Sequence, residues 1–233
     1  MMQALDLYAK IEPYIGFYEA YEVLYQKYLQ LIKPLHVSSV LDVGCGNGKF
    51  LVHLQKAGYK ALGIEQSEAM VAYAKKLGVD AMVCDISTLQ DASFDCVVAI
   101  GDVLNYMNTQ DLLAFFSHVS RVLKPQGYLL ADINTHQGFL VAEGAMSSED
   151  ANGFLSIEAL YEHNILTTKI NFFEKKDTLY ERYEGEIRQF YHPKSTFKNL
   201  TSLKLQKTLK HIMFSDVTEK EIIIFTNNSL SSI

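Results

Sequence analysis

Apolar and polar positions follow two spacings along most of the chain, and each spacing predicts one type of element. Over residues 17–32, apolar and aromatic side chains recur every three or four positions, as in a helix with one buried face. Pro34 is expected to end this helix, because proline lacks an amide hydrogen and clashes with the preceding turn. Short, mostly apolar runs predict strands at residues 39–43, 61–64, 81–84, 96–100 and 128–133.

Helical patterns separate these predicted strands. One helix is predicted over residues 47–58, and a second begins at Ser67, whose hydroxyl can cap it. A third is capped by Thr109 and closed by Pro125 and Gly127. Strands that alternate with helices in this way predict a parallel sheet with helices on both faces.

The pattern changes after about residue 140. Between residues 153 and 191, apolar side chains fall at every second position, which predicts antiparallel strands. Turns are predicted at Asn164 and at residues 175–177. The last predicted elements are a helix after Pro193 and two strands at residues 204–213 and 221–226.

These elements together predict an α/β fold in a single domain with a subdomain. The expected core is a Rossmann-like, doubly wound, mostly parallel seven-stranded sheet with helices on both faces, plus a small antiparallel β insert after the fifth strand. Residues 1–140 are expected to hold an N-terminal helix and the ligand-binding core. Residues 153–191 form the insert that covers the active site, and residues 192–233 add a helix and the last two core strands.

Charge and cysteine usage narrow the range of partners. The net charge is −6, and no block of lysine and arginine occurs, which argues against a nucleic-acid substrate. The three cysteines, Cys45, Cys84 and Cys96, lie far apart, so we expect neither a metal site nor a disulfide framework. The sequence does not indicate an oligomeric state.

Hydrophobic content predicts a packed core and no membrane segment. Hydrophobic residues make up 48 % of the 233 positions. The apolar runs are far shorter than the roughly 20 residues that cross a bilayer, and the first residues do not resemble a signal peptide. We therefore expect a soluble cytoplasmic protein without a membrane partner.

Three alternating glycines stand out in the segment VLDVGCGNGKF, residues 40–50. Gly44, Gly46 and Gly48 follow the first predicted strand and precede a helix. Such a loop offers backbone N–H groups and a helix N-terminus to a ligand, and the missing side chains allow close approach. The segment therefore predicts a small polar ligand at the carboxyl end of the strand, with an ordinary tight turn as the alternative.

The spacing of the glycines and the neighbouring acid argue against a dinucleotide as the ligand. Dinucleotide-binding loops read G-x-G-x-x-G, whereas the third glycine here, Gly48, comes one residue early. Asp42, inside the first strand, would repel a pyrophosphate and suits a cationic amine.

Two further acids end the next two predicted strands. Glu65 can accept hydrogen bonds from both hydroxyls of a ribose, and Asp85 can accept one from an exocyclic amine such as that of adenine. Each acid taken alone has a simpler interpretation, as a helix cap or a solvated charge.

Five motifs resemble those of class I S-adenosylmethionine-dependent methyltransferases, in order and at the usual spacing. They are VLDVGCGNGKF, GIEQSEAMVAYAKK, CDIS, FDCVVAIGDVLNYM and RVLKPQGYLLADIN, which together cover about residues 39–134. The family resemblance implies S-adenosylmethionine as the cofactor. The segment GDVLNYM, then ADINT and an antiparallel insert, also resembles bacterial type-11/25-like domains with small-molecule or unassigned acceptors.

The resemblance also implies a set of cofactor-binding residues. In the family the glycine loop holds the methionine part, the acid at the Glu65 position binds the ribose, and the acid at the Asp85 position binds the adenine amine. Residues that match Ile100 and Gly101 contribute backbone contacts near the sulfonium. The full set in this chain is Asp42, Gly44, Cys45, Gly46, Gly48, Glu65, Gln66, Asp85, Ile86, Ile100 and Gly101.

A methyl acceptor would lie at the ends of the fourth and fifth strands, beside the methyl group. We expect in-line displacement onto a nitrogen or oxygen of a small molecule, with Asp102 or His136 as candidate catalytic groups. Loop hydrogen bonding for Asp102 and plain solvation for His136 are the alternatives. Asn134 follows the fifth strand and is a further candidate. Asn105 and Tyr106 are expected to shape the pocket, and His118 is expected to be structural.

Aromatic residues are frequent in the predicted insert and near the N-terminus. Those of the insert either roof the acceptor or form sheet packing or a dimer surface; they are Tyr161, Phe172, Phe173, Tyr180, Tyr183, Phe190 and Tyr191. In related enzymes a tyrosine near the N-terminus closes over the cofactor, and Tyr8, Tyr14 and Tyr18 are candidates here.

Two other functions stay open at the level of sequence. One is a nicotinamide-dependent oxidoreductase, against which the glycine spacing argues. The other is a non-catalytic module that binds S-adenosylmethionine but has lost the acceptor site.

Overall fold

A computed structural model of the protein describes residues 4–198 and 203–228. The structure contains a larger sheet of seven strands and a smaller sheet of four. The first half of the chain forms α1 (Ala4–Ile15), α2 (Tyr18–Ile32), β1 (Ser39–Val43), α3 (Lys49–Lys56), β2 (Lys60–Glu65), α4 (Glu68–Lys76), β3 (Ala81–Val83), β4 (Phe94–Ala99) and α5 (Thr109–Val122).

The second half completes this sheet and adds a smaller one. Its elements are β5 (Leu123–Asn134), α6 (His136–Ala142), β6 (Gly144–Glu149), β7 (Gly153–Glu162), β8 (Ile165–Lys176), β9 (Leu179–Phe190), β10 (Leu203–His211) and β11 (Lys220–Asn227). The strand order of the main sheet is β10-β11-β5-β4-β1-β2-β3. Strands β1 to β5 are parallel, whereas β11 is antiparallel to β5 and β10 is antiparallel to β11. Strands β6 to β9 form a four-stranded antiparallel sheet in sequence order. The predicted α/β fold, with a mostly parallel seven-stranded sheet and an antiparallel β insert after the fifth strand, is therefore confirmed.

Different helices cover the two faces of the main sheet. The fully buried side chains of Leu24 and Tyr28 in α2 pack with residues of α3 and α4 on one face. On the other face, Leu112 and Phe116 of α5 pack against β4 and β5. Burial of this apolar surface is the main force that holds the helices on the sheet.

Helix α1 joins the insert to the main body. Its Leu7 and Ile11 are buried against Leu155, Ile170 and Phe172 of the insert sheet. The opposite side of α1 faces α4, where the Asp6 carboxylate accepts a hydrogen bond of 2.6 Å from the Ser67 hydroxyl. The helix is therefore held between the two sheets.

The predicted cap of α4 is present in the structure, and the cap of α5 lies one residue before the predicted one. The Ser67 hydroxyl caps α4 by accepting a hydrogen bond from the Met70 N–H at 3.1 Å. For α5, Asn108 and not Thr109 is the cap, because its side chain accepts from the N–H groups of Gln110 and Asp111. An asparagine oxygen reaches these donors as well as a hydroxyl does.

Three parts of the second half differ from the sequence prediction. β5 begins at Leu123, because the chain around Pro125 and Gly127 continues in the sheet through an irregularity in which Gln126 has a φ of 62°. The helix predicted after Pro193 is a single 3₁₀ turn over Lys194–Phe197, and residues 199–202 lie outside the described residues. The insert sheet begins at Gly144 and not at residue 153, because β6 lacks an apolar alternation that would mark it.

Candidate active site

A cavity of about 1220 Å³ opens at the carboxyl ends of β1 to β4. In parallel α/β sheets this edge is where ligands bind. The cavity is bounded by the β-strand ends, by α1 and α2, by α5 and by one strand of the insert. Ten of the residues expected to bind the cofactor line it, namely Asp42, Gly44, Cys45, Gly46, Glu65, Gln66, Asp85, Ile86, Ile100 and Gly101.

The loop between β1 and α3 is held tightly against its neighbours. The N–H groups of Gly44 and Cys45 both donate to the Ile64 carbonyl, at 2.8 and 3.1 Å. Gly44 has a φ of 68°, and a Cβ there would lie 2.8 Å from a methyl carbon of Val103. Glycine is therefore required at this position for two independent reasons, backbone conformation and space.

Gly48 does not line the cavity, although it belongs to the same loop. It caps α3 with a φ of 81°, and a Cβ would lie 2.7 Å from the Cβ of Ala74. The structure thus gives Gly48 a packing role at the junction of α3 and α4.

Glu65 lies at the end of β2, with its carboxylate against the glycine loop. One oxygen accepts a hydrogen bond from the Gly46 N–H at 3.1 Å. The other accepts from the N–H groups of Gln66 and Ser67, at 2.8 and 3.1 Å. The carboxylate therefore fixes the loop while lining the cavity.

Asp42 lines the floor of the cavity and is only 2 % exposed. Desolvation, with a smaller contribution from the nearby Glu65 carboxylate, raises the pKa of Asp42 well above its ordinary value. Within residues 4–198 and 203–228 we find no hydrogen-bond donor to this carboxylate. A buried acid that costs stability and faces a cavity is typical of a binding site for a positive group.

Asp85 follows β3 at the rim of the cavity. Its carboxylate accepts a hydrogen bond of 2.8 Å from the Ser87 N–H and caps the 3₁₀ turn Ile86–Thr88. The hydrogen bonds from Ser87 lower the pKa of Asp85, and His118 nearby adds to this shift. Asp85 therefore acts as a helix cap, and its carboxylate also lines the cavity.

His118 lies in a different environment from the one predicted. It lines the cavity from α5, on the side of Asp85, and is half-buried. The helical pattern alone placed it on a structural face, because the cavity that borders α5 is created by tertiary packing.

Tyrosines from the N-terminal helices form much of the opposite wall. Tyr14 is not among them, since it donates a hydrogen bond to Asp150 and packs on Phe172. Burial, with a smaller contribution from Glu12, raises the pKa of Tyr8 to about 12, so its hydroxyl stays neutral at physiological pH. The tyrosines that line the cavity are Tyr8, Tyr18, Tyr21 and Tyr25, together with Tyr106 after β4.

Contacts between charged groups hold α1 over the glycine loop. Glu12 pairs with Lys49 at 2.8 Å and accepts hydrogen bonds from the Asn47 amide. The Lys49 ammonium lies 3.9 Å from the centre of the Tyr18 ring. The pairing of Glu12 with Lys49 is not predictable from the motif that contains Lys49, because Glu12 is 37 positions away in the chain and belongs to no motif.

Asp102 does not point into the cavity. It follows Gly101 with a φ of 71°, and its carboxylate pairs with Lys220 and accepts a hydrogen bond of 3.1 Å from Gln189. Lys220 and Gln189 are both buried. The structure therefore does not support Asp102 as a group that touches the acceptor, because the left-handed backbone turns its side chain away.

His136 also lies away from the cavity. It begins α6, is exposed, and its ring packs edge-on against Tyr161 and Tyr191. The expectation that a side chain following β5 faces the ligand does not hold here, because the chain turns into α6 at the capping residue Thr135.

Asn105 and Tyr106 have different environments. Asn105 is completely buried, donates to the Phe190 carbonyl at 2.9 Å and accepts from the Asn134 N–H at 2.9 Å. It therefore ties the turn after β4 to β5 and the insert, whereas Tyr106 lines the cavity as predicted.

The insert borders the cavity, but through other residues than the aromatic ones. The lining residues from the insert are Glu186, Ile187 and Arg188 of β9. The aromatic rings pack elsewhere. Phe172 and Tyr183 lie against α1, and Tyr161 stacks on Phe139 of α6. The interpretation as sheet packing therefore describes these rings better than a roof over the acceptor.

Three comparisons with known proteins agree with this geometry. Residues 40–127 match the model of a family described as a methyltransferase domain. The putative methyltransferase YqeM of Bacillus subtilis is 28 % identical over 230 residues, which cover 89 % of this chain and 91 % of that protein.

Solved structures share the fold at low sequence identity. An S-adenosylmethionine-dependent methyltransferase from Clostridium acetobutylicum matches with a TM-score of 0.75 and 21 % identity, covering 96 % of this chain and 97 % of the other. The sugar N-methyltransferase KedS8 from Streptoalloteichus matches with a TM-score of 0.71 and 17 % identity, covering 86 % and 85 %. No helix among the described residues is long and apolar enough to cross a membrane.

The domain match over residues 40–127, the putative methyltransferase of similar length and the common fold therefore make the chain similar to S-adenosylmethionine-dependent methyltransferases.

Proposed function

We propose that the protein transfers a methyl group from S-adenosylmethionine to a nitrogen or oxygen atom of a small molecule. The observation that carries this proposal is the cavity itself, which continues from the acids at the strand ends to a tyrosine-lined wall beside Gly101. Its volume of about 1220 Å³ leaves room for a second small molecule next to the cofactor.

The cofactor-binding residues fit the proposed ligand. Gly44 and Gly46 leave the backbone open at the place where an amino-acid tail would lie, and Asp42 supplies a buried negative charge for its ammonium group. Glu65 would bind the ribose hydroxyls and Asp85 the adenine amine, with Gln66 and Ile86 beside them. When bound, S-adenosylmethionine supplies a methyl group activated by a sulfonium.

The chain's own contribution is to orient the reactants and to exclude water. Ile100 and Gly101 form the wall where the methyl group would lie, and α1 closes the cavity above the glycine loop. Holding two reactants in line lowers the barrier chiefly by removing translational and rotational freedom. Exclusion of water strengthens the interaction of Asp42 and Glu65 with a cationic ligand.

The acceptor is proposed to bind among Tyr8, Tyr21 and Tyr106. Burial raises the pKa of Tyr8 and Tyr21, so both hydroxyls act as neutral hydrogen-bonding groups and not as bases near neutral pH. Because Asp102 and His136 lie outside the cavity, we do not retain either as a catalytic group. An amine that binds in its neutral form carries its own lone pair and suits this site, and the shared fold with a sugar N-methyltransferase agrees with a nitrogen acceptor.

A transfer assay tests the proposal. Purified protein is incubated with methyl-labelled S-adenosylmethionine and separate pools of small amines, amino sugars, alcohols, bulk tRNA and unfolded protein. We expect label in a small-molecule pool. Label only in the tRNA or protein pool would overturn the choice of acceptor.

The same assay separates the two alternatives. A non-catalytic module would bind S-adenosylhomocysteine in calorimetry and label no pool. An oxidoreductase would instead bind NADH in a fluorescence titration, which we do not expect because of the glycine spacing.

A further inference from the structure

A buried ionic cluster lies directly behind the wall of the cavity, and we name it the 102–132–220 cluster after Asp102, Asp132 and Lys220. Asp132 on β5 is 0 % exposed and Lys220 on β11 is 3 % exposed. The Lys220 ammonium lies 2.8 Å from the Asp132 carboxylate and also pairs with Asp102. Charges this deeply buried cost several kcal/mol to desolvate, so their retention points to a specific task.

The cluster holds a strained turn. Gly101 and Asp102 both have left-handed backbone angles, with φ values of 82° and 71°. Their N–H groups point to the Asp132 carboxylate, at 2.9 and 3.3 Å. A non-glycine residue in this conformation persists only where its surroundings hold it, and here the holding group is a buried anion beneath two consecutive N–H donors.

This turn determines the shape of the cavity wall. Gly101 itself lines the cavity, and Tyr21 packs so closely on it that a Cβ would lie 3.1 Å from the ring. Val103, which follows Asp102, packs so closely on Gly44 that a Cβ there would lie 2.8 Å from a Val103 methyl carbon. A shift of the turn would therefore move both the wall beside the proposed methyl group and the support of the glycine loop.

The cluster is also connected to the remaining parts of the chain. The Tyr28 hydroxyl of α2 donates to Asp132 at 3.1 Å, and the Gln189 amide of the insert donates to Asp102 at 3.1 Å. Lys220 brings in the C-terminal strand β11. Three elements that are distant in sequence thus meet at one turn.

We propose that Asp132 and Lys220 are positioning residues for methyl transfer, which act by fixing the Gly101–Asp102 turn against the glycine loop. The inference rests on the proposed function, because it assigns a role to the wall of the same cavity. Neither side chain lines the cavity, so neither is a catalytic residue.

The arrangement of charges gives the proposal a distinctive consequence. Removal of the Lys220 ammonium leaves the Asp102 and Asp132 carboxylates close together without a cation between them. Their repulsion is expected to open the turn. Conversion of Asp102 to asparagine in the same chain removes the repulsion and should restore part of the geometry.

The experiment compares Lys220→Met, the double variant Lys220→Met with Asp102→Asn, and the full-length wild type. Calorimetry measures the dissociation constant for S-adenosylhomocysteine, and amide hydrogen exchange measures opening of residues 99–106. We expect Lys220→Met to weaken affinity about tenfold, the effect of roughly one lost charged contact, and to speed exchange of the turn. The double variant should recover a measurable part of the affinity and of the protection of the turn against exchange.

A matched control separates positioning from general loss of stability. Ile223→Ala lies on the same strand, β11, and is 2 % exposed, but its side chain packs in the core on the face of α5. It should lower the melting temperature and leave the affinity for S-adenosylhomocysteine unchanged. The double variant has the same net charge in the cluster as the wild type. If Lys220→Met does not fold, the double variant replaces it in the comparison with the wild type and Ile223→Ala.

Each outcome decides a separate claim. Wild-type affinity and wild-type exchange at residues 99–106 in the Lys220 variants would overturn the positioning role, as would an equal loss of affinity in Ile223→Ala. A wild-type protein that binds no S-adenosylhomocysteine would instead overturn the proposed function, and the exchange data would still report on whether Lys220 holds the turn.

Discussion

Asp42 shows how a single residue connects stability with binding. Its carboxylate is buried in β1, and no donor to it is found in the described ranges 4–198 and 203–228. Its burial raises the pKa, which means that the ionised form destabilises the folded protein. Such a cost is understandable if the carboxylate is needed for a cationic ligand.

Asp42→Asn should therefore act in opposite directions on folding and binding. We expect the ligand-free variant to be more stable than the wild type at pH 7 by about 1 kcal/mol, because an unpaired buried charge is removed. The raised pKa makes this advantage shrink as the pH falls and the wild-type carboxyl becomes protonated. Urea unfolding at pH 7 and pH 5 measures the first effect, and titration with S-adenosylhomocysteine should show weaker binding. Equal stability and unchanged affinity would contradict the role assigned to Asp42.

Glu65 provides a second test at the scale of one residue. Its carboxylate accepts three backbone N–H groups and faces the cavity. Glu65→Ala should weaken the affinity for S-adenosylhomocysteine by about 1–3 kcal/mol, the scale of a lost charged hydrogen-bond partner. Glu68→Ala, which replaces an exposed acid at the first position of α4, is the control and should bind like the wild type. An unchanged affinity in Glu65→Ala would show that the ribose assignment is wrong.

The candidate site was predictable where it rests on motifs and unpredictable where it rests on tertiary packing. The positions of Glu65 and Asp85 at strand ends follow from the period of the pattern, and both line the cavity. The orientation of Asp102 could not be predicted from the pattern. It depends on a left-handed turn and on Lys220, which is 118 positions away in the chain. The pairing of Glu12 with Lys49 was missed for the same reason.

At the scale of elements, the junctions between strands and helices determine the geometry of the site. Gly48 caps α3 in a left-handed conformation and lies against Ala74 of α4, so the end of the glycine loop is packed between the two helices. A second junction lies at the opposite edge of the sheet, where β1, β4 and β5 begin. There the Asp95 carboxylate of β4 accepts hydrogen bonds from the hydroxyls of Ser38 and Ser39 and from the Lys124 ammonium. Both junctions fix where the strand ends lie.

Gly48→Ala should be more destabilising than Gly78→Ala, although both glycines have positive φ values of 81° and 75°. At Gly78 the added methyl group meets open space, so the cost is the backbone conformation alone, about 1 kcal/mol. At Gly48 it lies 2.7 Å from the Cβ of Ala74, and overpacking adds roughly 1–3 kcal/mol. Chemical denaturation measures both variants. Equal losses would show that α4 can move away from the loop.

The Asp95 junction predicts a pH-dependent contribution to stability. Burial opposes ionisation of Asp95, but Lys124 and the donors of Ser38 and Ser39 outweigh it and lower the pKa. A carboxylate with a lowered folded pKa stabilises the fold above its unfolded pKa of about 3.9 and loses this contribution as the pH falls further. Asp95→Asn should cost about 2 kcal/mol at pH 7, and the difference from the wild type should narrow between pH 5 and pH 3. A difference that is constant with pH would contradict this account.

Elements with a strong period were predictable, and short or irregular ones were not. The strands of the core and the helix α2 follow their hydrophobic pattern closely. α1 was missed because its buried residues Leu7 and Ile11 pack against the insert, a tertiary contact that the local sequence does not show. β6 was missed because GAMSSE carries no apolar alternation and pairs as an edge strand through its backbone.

At the scale of the whole molecule, the cavity is built from parts that are distant in sequence. The main sheet supplies the acids and the glycine loop, α1 and α2 supply tyrosines, and β9 of the insert supplies Glu186 and Arg188. The 102–132–220 cluster joins the C-terminal strand to the same place. The chain thus forms one cavity in which both the cofactor and the acceptor are proposed to bind, with the acceptor on the side of the tyrosines.

The central claim is that S-adenosylmethionine lies across the ends of β1, β2 and β3. A crystal structure with S-adenosylhomocysteine tests it most directly. We predict that the amino-acid tail lies on the loop Gly44–Gly46 above Asp42, that the ribose lies on Glu65 and that the purine lies beside Asp85 and Ile86. Density for the ligand at another edge of the sheet, or a Glu65 carboxylate that makes no contact with the ribose, would contradict the account.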